Sequence, residues 1–219
     1  MAIDLLHHPV TQLPGPQFPG GFMGLMMSPV ARKSVSVLCG SRLGSDPAYA
    51  EAARSLGAAL AQADLRLLYG AGDGGLAAAV ARAVADAGGQ ALGAIPAHLV
   101  ARDGGGDHEG ELVVTETMHE RKKLLFMNAD AIVVLPGGAG TLDQLLEVLT
   151  WRQLGLHRKP VYLLNVAGYW DPLLALLDHV VARAFADPSF VQLIEVHDAV
   201  DALVDRVSAR LYRRTLDGS

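Results

Sequence analysis

Ala131-Ile132-Val133-Val134-Leu135-Pro136-Gly137-Gly138-Ala139-Gly140-Thr141 is the stretch on which the fold turns. Its first half is an uninterrupted apolar run, as expected of a strand buried on both faces. The run stops at Pro136, after which Gly137, Gly138 and Gly140 let backbone N–H groups converge without a side chain in the way. Thr141 stands where a helix begins, so the turn is suited to holding an oxyanion at a helix N-terminus.

Working outward, the same strand-turn-helix unit recurs along the chain. Short apolar runs predict strands at 35–39, 65–69, 91–95, 112–115, 131–135, 161–164 and, more weakly, 193–196. Longer amphipathic segments between them predict helices at 47–62, 75–87, 118–128, 141–154, 171–184 and 199–211. That alternation implies an α/β protein: a doubly wound parallel sheet in three layers, forming a single domain over residues 32–219. In such sheets ligands lie beyond the carboxyl ends of the strands. Three turns at that edge are rich in small residues: Gly40-Ser41-Arg42-Leu43-Gly44-Ser45, Gly70-Ala71-Gly72-Asp73-Gly74-Gly75 and the turn at Pro136. The middle one resembles GxGxxG loosely, but no acidic residue ends the next strand to hold a dinucleotide ribose.

Composition narrows the function classes. At 219 residues and 51% apolar content the chain can bury one sizeable core, which excludes global disorder. A formal net charge of -5 argues against nucleic-acid binding through a broad basic surface. Cys39 is the only cysteine, which removes an internal disulfide and any multi-thiolate zinc site and suits a reducing compartment. No apolar run reaches the roughly 20 residues that span a bilayer, so no membrane association and a cytoplasmic location are expected. The 8 histidines show no HxxxH or HxH pairing, so no metal is expected, and no cofactor is implied. Residues 1–31 carry Pro9, Pro14, Pro16, Pro19 and Pro29, a composition expected of a flexible N-terminal extension.

Two runs, Met118-His119-Glu120-Arg121-Lys122 and Pro136-Gly137-Gly138-Ala139-Gly140-Thr141, resemble the MHxRK and PGGxGTxxE motifs of the LOG family, the cytokinin riboside 5′-monophosphate phosphoribohydrolases. The resemblance runs from about Val35 to Phe185 and includes Cys39-Gly40-Ser41, Tyr69-Gly70-Ala71-Gly72, Thr150-Trp151 and Leu163-Leu164-Asn165-Val166 with Gly168-Tyr169. It implies a Rossmann-like homodimer that hydrolyses the N-glycosidic bond of adenine-type nucleoside 5′-monophosphates, AMP or a cytokinin nucleotide, to free base and ribose 5-phosphate. Members have often carried the label "lysine decarboxylase", which nothing in these residues supports.

On that reading Gly137, Gly138, Ala139, Gly140 and Thr141 grip the 5′-phosphate, and Arg121 adds a permanent planar cation for phosphate or ribose oxygens. Lys122, Ser41, Gly72 and Asp103 complete the expected substrate-binding set, with Arg102 and Asp103 read as part of a mobile loop that runs into Gly104-Gly105-Gly106. Trp151 and Tyr169 read as core or subunit contacts, and His119 as a positioning residue beside Arg121.

One position departs from the family pattern: where the motif ends in a glutamate taken to be catalytic, this chain has Gln144. Glycosidic cleavage develops positive charge on the ribose, which a carboxylate can stabilise and an amide cannot. Asp143 precedes Gln144 and Glu147 follows it, so Arg121, Gln144, Asp143 and Glu147 form the candidate catalytic group. The departure keeps a second reading open: a non-catalytic carrier or sensor of a nucleotide or phosphorylated cofactor, as the related molybdenum-cofactor carrier proteins are.

Overall fold

The structure is a computed structural model that describes residues 32–72, 74–103 and 108–216, with the side chains of 101–103 and 213–216 outside that description. The expected N-terminal extension, 1–31, lies outside the described residues.

Strand β1 (Ser34–Leu38) is buried at all its positions, because it sits in the middle of the sheet. The other strands are β2 (Arg66–Gly70), β3 (Ala91–Pro96), β4 (Glu111–Thr115), β5 (Ala131–Val134), β6 (Val161–Leu164) and β7 (Glu195–His197). They form one sheet of 7 strands in the order β4-β3-β2-β1-β5-β6-β7, and every neighbouring pair is parallel. The chain therefore builds outward from β1 to one edge, returns to the middle, and builds outward again from β5. The strand order reverses between β1 and β5, which opens a crevice beyond their carboxyl ends.

Helices cover both faces, and the pleat sorts side chains between them. Val35, Val37, Leu67, Tyr69, Ala131, Val133, Tyr162 and Leu164 face one layer, packing on α1 (Pro47–Gln62), α2 (Gly75–Asp86) and α7 (Val200–Leu216). Their alternates Leu38, Ile132, Val134, Val161 and Leu163 face the other, against α5 (Ala139–Gln153) and α6 (Asp171–Ala182). Leu68, Leu92 and Ala94 meet Leu125 of α4 (Met118–Asn128) on that same side. This period of two is why the strands read as continuous apolar runs. The doubly wound, three-layer architecture expected from the sequence is the one observed.

Two elements differ from expectation. A short helix, α3 (Ala97–Asp103), follows Pro96 directly, where no helix was predicted; Leu99 and Val100 pack against the first layer's core and hold it there. Arg102 and Asp103 thus end a helix rather than lie in a loop, while 104–107 are outside the described residues. The helix expected from Thr141 begins at Ala139, so Ala139 and Gly140 form its first turn. No helix among the described residues is long and apolar enough to cross a membrane.

Candidate functional site

The crevice between β1 and β5 is closed at its base by backbone contacts between two of the glycine turns. Gly40 N–H donates to the Pro136 carbonyl at 2.9 Å, and Leu76 N–H, in the first turn of α2, donates to the Gly40 carbonyl at 3.0 Å. The first turn thus braces the other two, and the loose GxGxxG match serves this packing, since a β-carbon on Gly75 would overlap Ser41. Above the contacts lies a cleft of about 320 Å³ lined by Gly40 to Gly44, Tyr49, Leu76, Pro136, Gly137, Gly138 and Tyr169.

At the start of α5 the backbone is arranged for an anion. Gly138 caps the helix with extended backbone and its carbonyl accepts from Thr141 N–H and Leu142 N–H, both at 3.0 Å. The N–H groups of Gly137, Gly138, Ala139 and Gly140 have no acceptor among the described residues, which is the unsatisfied donor set of a helix N-terminus. Thr141 is 3% exposed and fills the space beneath Gly137, where a β-carbon would overlap its Oγ1. Only glycine lets the turn close over that threonine.

Arg121 reaches the same end of the sheet from α4. A capping box fixes where this helix starts: Thr117 Oγ1 accepts from Glu120 N–H at 3.2 Å, and Glu120 Oε2 accepts from the N–H groups of Glu116 at 2.8 Å and Thr117 at 3.4 Å. Glu120, inside the MHERK run, is therefore a structural residue, and the Thr-x-x-Glu spacing was the signal for it. Lys159 fastens the far end of α4 by donating to the carbonyls of Phe126 and Met127. Held at both ends, α4 lays the Arg121 guanidinium across Gly70, where a β-carbon would overlap Nη2.

Electrostatically the two basic neighbours on α4 are opposites. Among the described residues Arg121 meets no carboxylate, and its one hydrogen bond is to Met118 Sδ at 3.8 Å. Burial lowers its pKa, as it must for a cation taken out of water without a partner. The adjacent Cys39 does not compensate it, since burial pushes the thiol up to about 12 despite the pull of Arg121, leaving it neutral. Lys122, by contrast, is doubly paired, at 3.1 Å to Asp143 Oδ2 and 2.9 Å to Glu147 Oε2. The hydrogen bond that Lys122 donates to Glu147 is the first cause of its raised pKa. A guanidinium with no carboxylate partner among the described residues, at the sheet end that also carries the four free N–H donors, suits an anionic ligand; a lysine paired with two carboxylates does not.

Gln144 donates from Nε2 to the Gly140 carbonyl at 3.2 Å and shares a small cavity of about 20 Å³ with Lys122, Glu147, Ser36, Leu38 and Leu125. The structure therefore brings Gln144, Lys122 and Glu147 together, and the Lys122 pairing adds Asp143. Arg121 stands against Gly70 and Cys39 instead. Ser41 lines the larger cleft, and Gly72 has open space around it. The Asp103 side chain and Asp73 lie outside the described residues.

The structure also places three further residues singled out in the sequence. His119 lines a groove with Lys123, Phe126, Met127 and Leu156, and no hydrogen bond joins it to Arg121 among the described residues. Trp151 packs edge-on against Phe126 at 4.8 Å, as a core contact should. Tyr169 packs against the core on the α5 and α6 side and in addition donates from its hydroxyl to the Gly137 carbonyl at 2.7 Å, within the turn that starts α5. Its signal was the Gly-Tyr pair just past a strand's carboxyl end.

A family model described as "Possible lysine decarboxylase" matches residues 77–207. Over 162 residues the chain is 46% identical to the Arabidopsis thaliana cytokinin riboside 5′-monophosphate phosphoribohydrolase LOG7, covering 74% of this chain and 75% of that one. It is 40% identical to LOG1 of the same plant, covering 80% and 82%. Among solved structures, the molybdenum cofactor binding protein of Rippkaea orientalis superposes with a TM-score of 0.64 at 19% identity, covering 83% of this chain and 98% of that one. At that identity the likeness is one of fold alone. By the family match and by its identity to curated members over most of both lengths, this chain belongs to the LOG family.

Proposed function

We propose that this protein hydrolyses the N-glycosidic bond of adenine-type nucleoside 5′-monophosphates, AMP or a cytokinin nucleotide, releasing free base and ribose 5-phosphate. The observation that carries the reading is the Arg121 guanidinium, without a carboxylate partner among the described residues, at the same sheet edge as the free N–H donors of Gly137 to Gly140, in a chain whose relatives are named for this reaction. The turn holds the 5′-phosphate, with Thr141 packing it from below, and Arg121 takes phosphate or ribose oxygens. In the reaction the bond between the ribose C1′ and the base nitrogen breaks, its electron pair leaving with the base. Water oxygen adds to C1′, one water proton is released, and the base nitrogen is protonated. Gln144 orients by hydrogen bonding but supplies no negative charge to the developing oxocarbenium ion. Ser41, Gly72, Asp103 and Lys122 belong to the surrounding shell, Lys122 acting through Asp143 and Glu147.

Recognition through the phosphate has a direct test. AMP is expected to bind at least about tenfold more tightly than adenosine, on the scale of charge-assisted hydrogen bonds; equal affinities by calorimetry overturn the placement. A second reading, a carrier that binds without cleaving, is favoured by one feature only, the amide at Gln144.

We further infer a homodimer in the cytoplasm. The exposed apolar residues Leu146, Leu154, Leu156, Leu176 and Phe185, on or just after α5 and α6, support the first, and the single cysteine the second. Light scattering should return twice the chain mass of 23.1 kDa, and the single-chain value contradicts the dimer.

A further inference from the structure

The turn that begins α5 makes its free N–H groups from backbone, and backbone glycines do not hold a conformation by themselves. Something must fix the peptide planes, and at the plane joining Gly137 to Gly138 the structure shows what does. The Tyr169 hydroxyl donates to the Gly137 carbonyl at 2.7 Å. In a planar trans peptide the carbonyl oxygen and the following N–H point in opposite directions. Anchoring the Gly137 carbonyl on Tyr169 therefore aims the Gly138 N–H directly away from the tyrosine, and that N–H has no acceptor among the described residues.

Tyr169 is itself held on several sides. Its ring packs edge-on against Tyr49 of α1, with centroids 5.4 Å apart, and against Trp170 at 4.8 Å. Trp170 is buried, and its backbone N–H donates to Asn165 Oδ1 at 2.7 Å. Asn165 Nδ2 donates to Asp171 Oδ1 at 2.8 Å, in the first turn of α6, while Asn165 N–H donates to the His197 carbonyl at 2.8 Å. The loop from β6 to α6 is thus tied to β7, to α6 and to α1, and its tyrosine transmits that rigidity to the phosphate turn.

We propose that Tyr169 is a positioning residue for the anion site, setting the orientation of the Gly138 N–H through the Gly137 carbonyl. The inference rests on the reading of the turn as a phosphate site. A prepaid peptide orientation strengthens a phosphate contact made alike before and during bond cleavage, so its loss raises KM and spares kcat.

Tyr169→Phe keeps the ring and its packing and removes only the donor. Calorimetric titration with inorganic phosphate is expected to show affinity lowered about 5- to 10-fold, on the scale of one hydrogen bond. KM for AMP should rise by the same factor with kcat within about twofold, and the melting temperature should stay near that of the unaltered protein. Phosphate affinity equal to that of the unaltered protein overturns the proposal, as does a fall in kcat with KM unchanged. Should Tyr169→Phe melt early, Asn165→Ala is the second variant: a phosphate-selective loss of affinity is again expected, and its absence overturns the proposal. Failure of the unaltered protein to release adenine from AMP overturns the hydrolase reading instead, and the phosphate titration still decides the role of Tyr169.

Discussion

Replacing Gln144 by glutamate is expected to raise AMP hydrolysis by up to about 10²-fold, the scale of one positioned electrostatic group, with little change in AMP affinity. The wild-type amide spends its Nε2 on the Gly140 carbonyl and offers the ribose only a neutral oxygen. A carboxylate there adds the charge that an oxocarbenium-like transition state needs and the ground state does not. The nearby acids do not already fill the role, because both are committed to Lys122, at 3.1 Å for Asp143 and 2.9 Å for Glu147. Lys122 is 12% exposed, against 62% for Asp143 and 27% for Glu147, so the lysine is the sheltered partner and Glu147 the acid less screened by solvent. If Glu147 nevertheless serves as the carboxylate, Glu147→Gln abolishes turnover and Gln144→Glu does nothing, or does harm by crowding like charges. Initial rates for the two single variants decide between these outcomes.

Arg121→Ala is expected to weaken AMP binding about 10- to 100-fold, the scale of losing hydrogen bonds from a charged donor. Its guanidinium has no carboxylate partner among the described residues, and Cys39 beside it stays protonated. The protein gains little internally from this cation, so its removal should cost ligand affinity and leave the melting temperature nearly unchanged or raised. Gly70→Ala provides an independent check, since the added methyl must displace the same guanidinium. If Arg121→Ala leaves both affinity and rate intact, the site does not lie between α4 and the start of α5.

Order and type of the long elements were legible because each carries its own period: continuous apolar runs for strands buried on both faces, amphipathic repeats for the helices that cover them. The crevice followed from that order, and Gly137 to Thr141 from the chemistry of one turn. What escaped the sequence were lateral contacts between loops that no local period encodes. Tyr169 meets Gly137 across 32 positions, and Arg121 lies on Gly70 only because α4 is pinned at both ends. Lys122 reads as a phosphate ligand until its pairing with Asp143 and Glu147 is seen, because charge type alone does not say which partner a lysine faces. The early start of α5 at Ala139 was hidden by Gly140, a poor helix former that the free N–H groups of a first turn tolerate. Helix α3 was hidden by its length and by the glycines that follow it.

The most direct test of the account is to incubate the purified protein with AMP and, in parallel, with adenosine, and to separate the products by chromatography. Free adenine together with ribose 5-phosphate should accumulate from AMP, slowly for a site with Gln144 in place of a carboxylate, while adenosine stays intact. AMP that is bound yet recovered whole, in Gln144→Glu as well as in the unaltered chain, contradicts the hydrolase and leaves a nucleotide carrier.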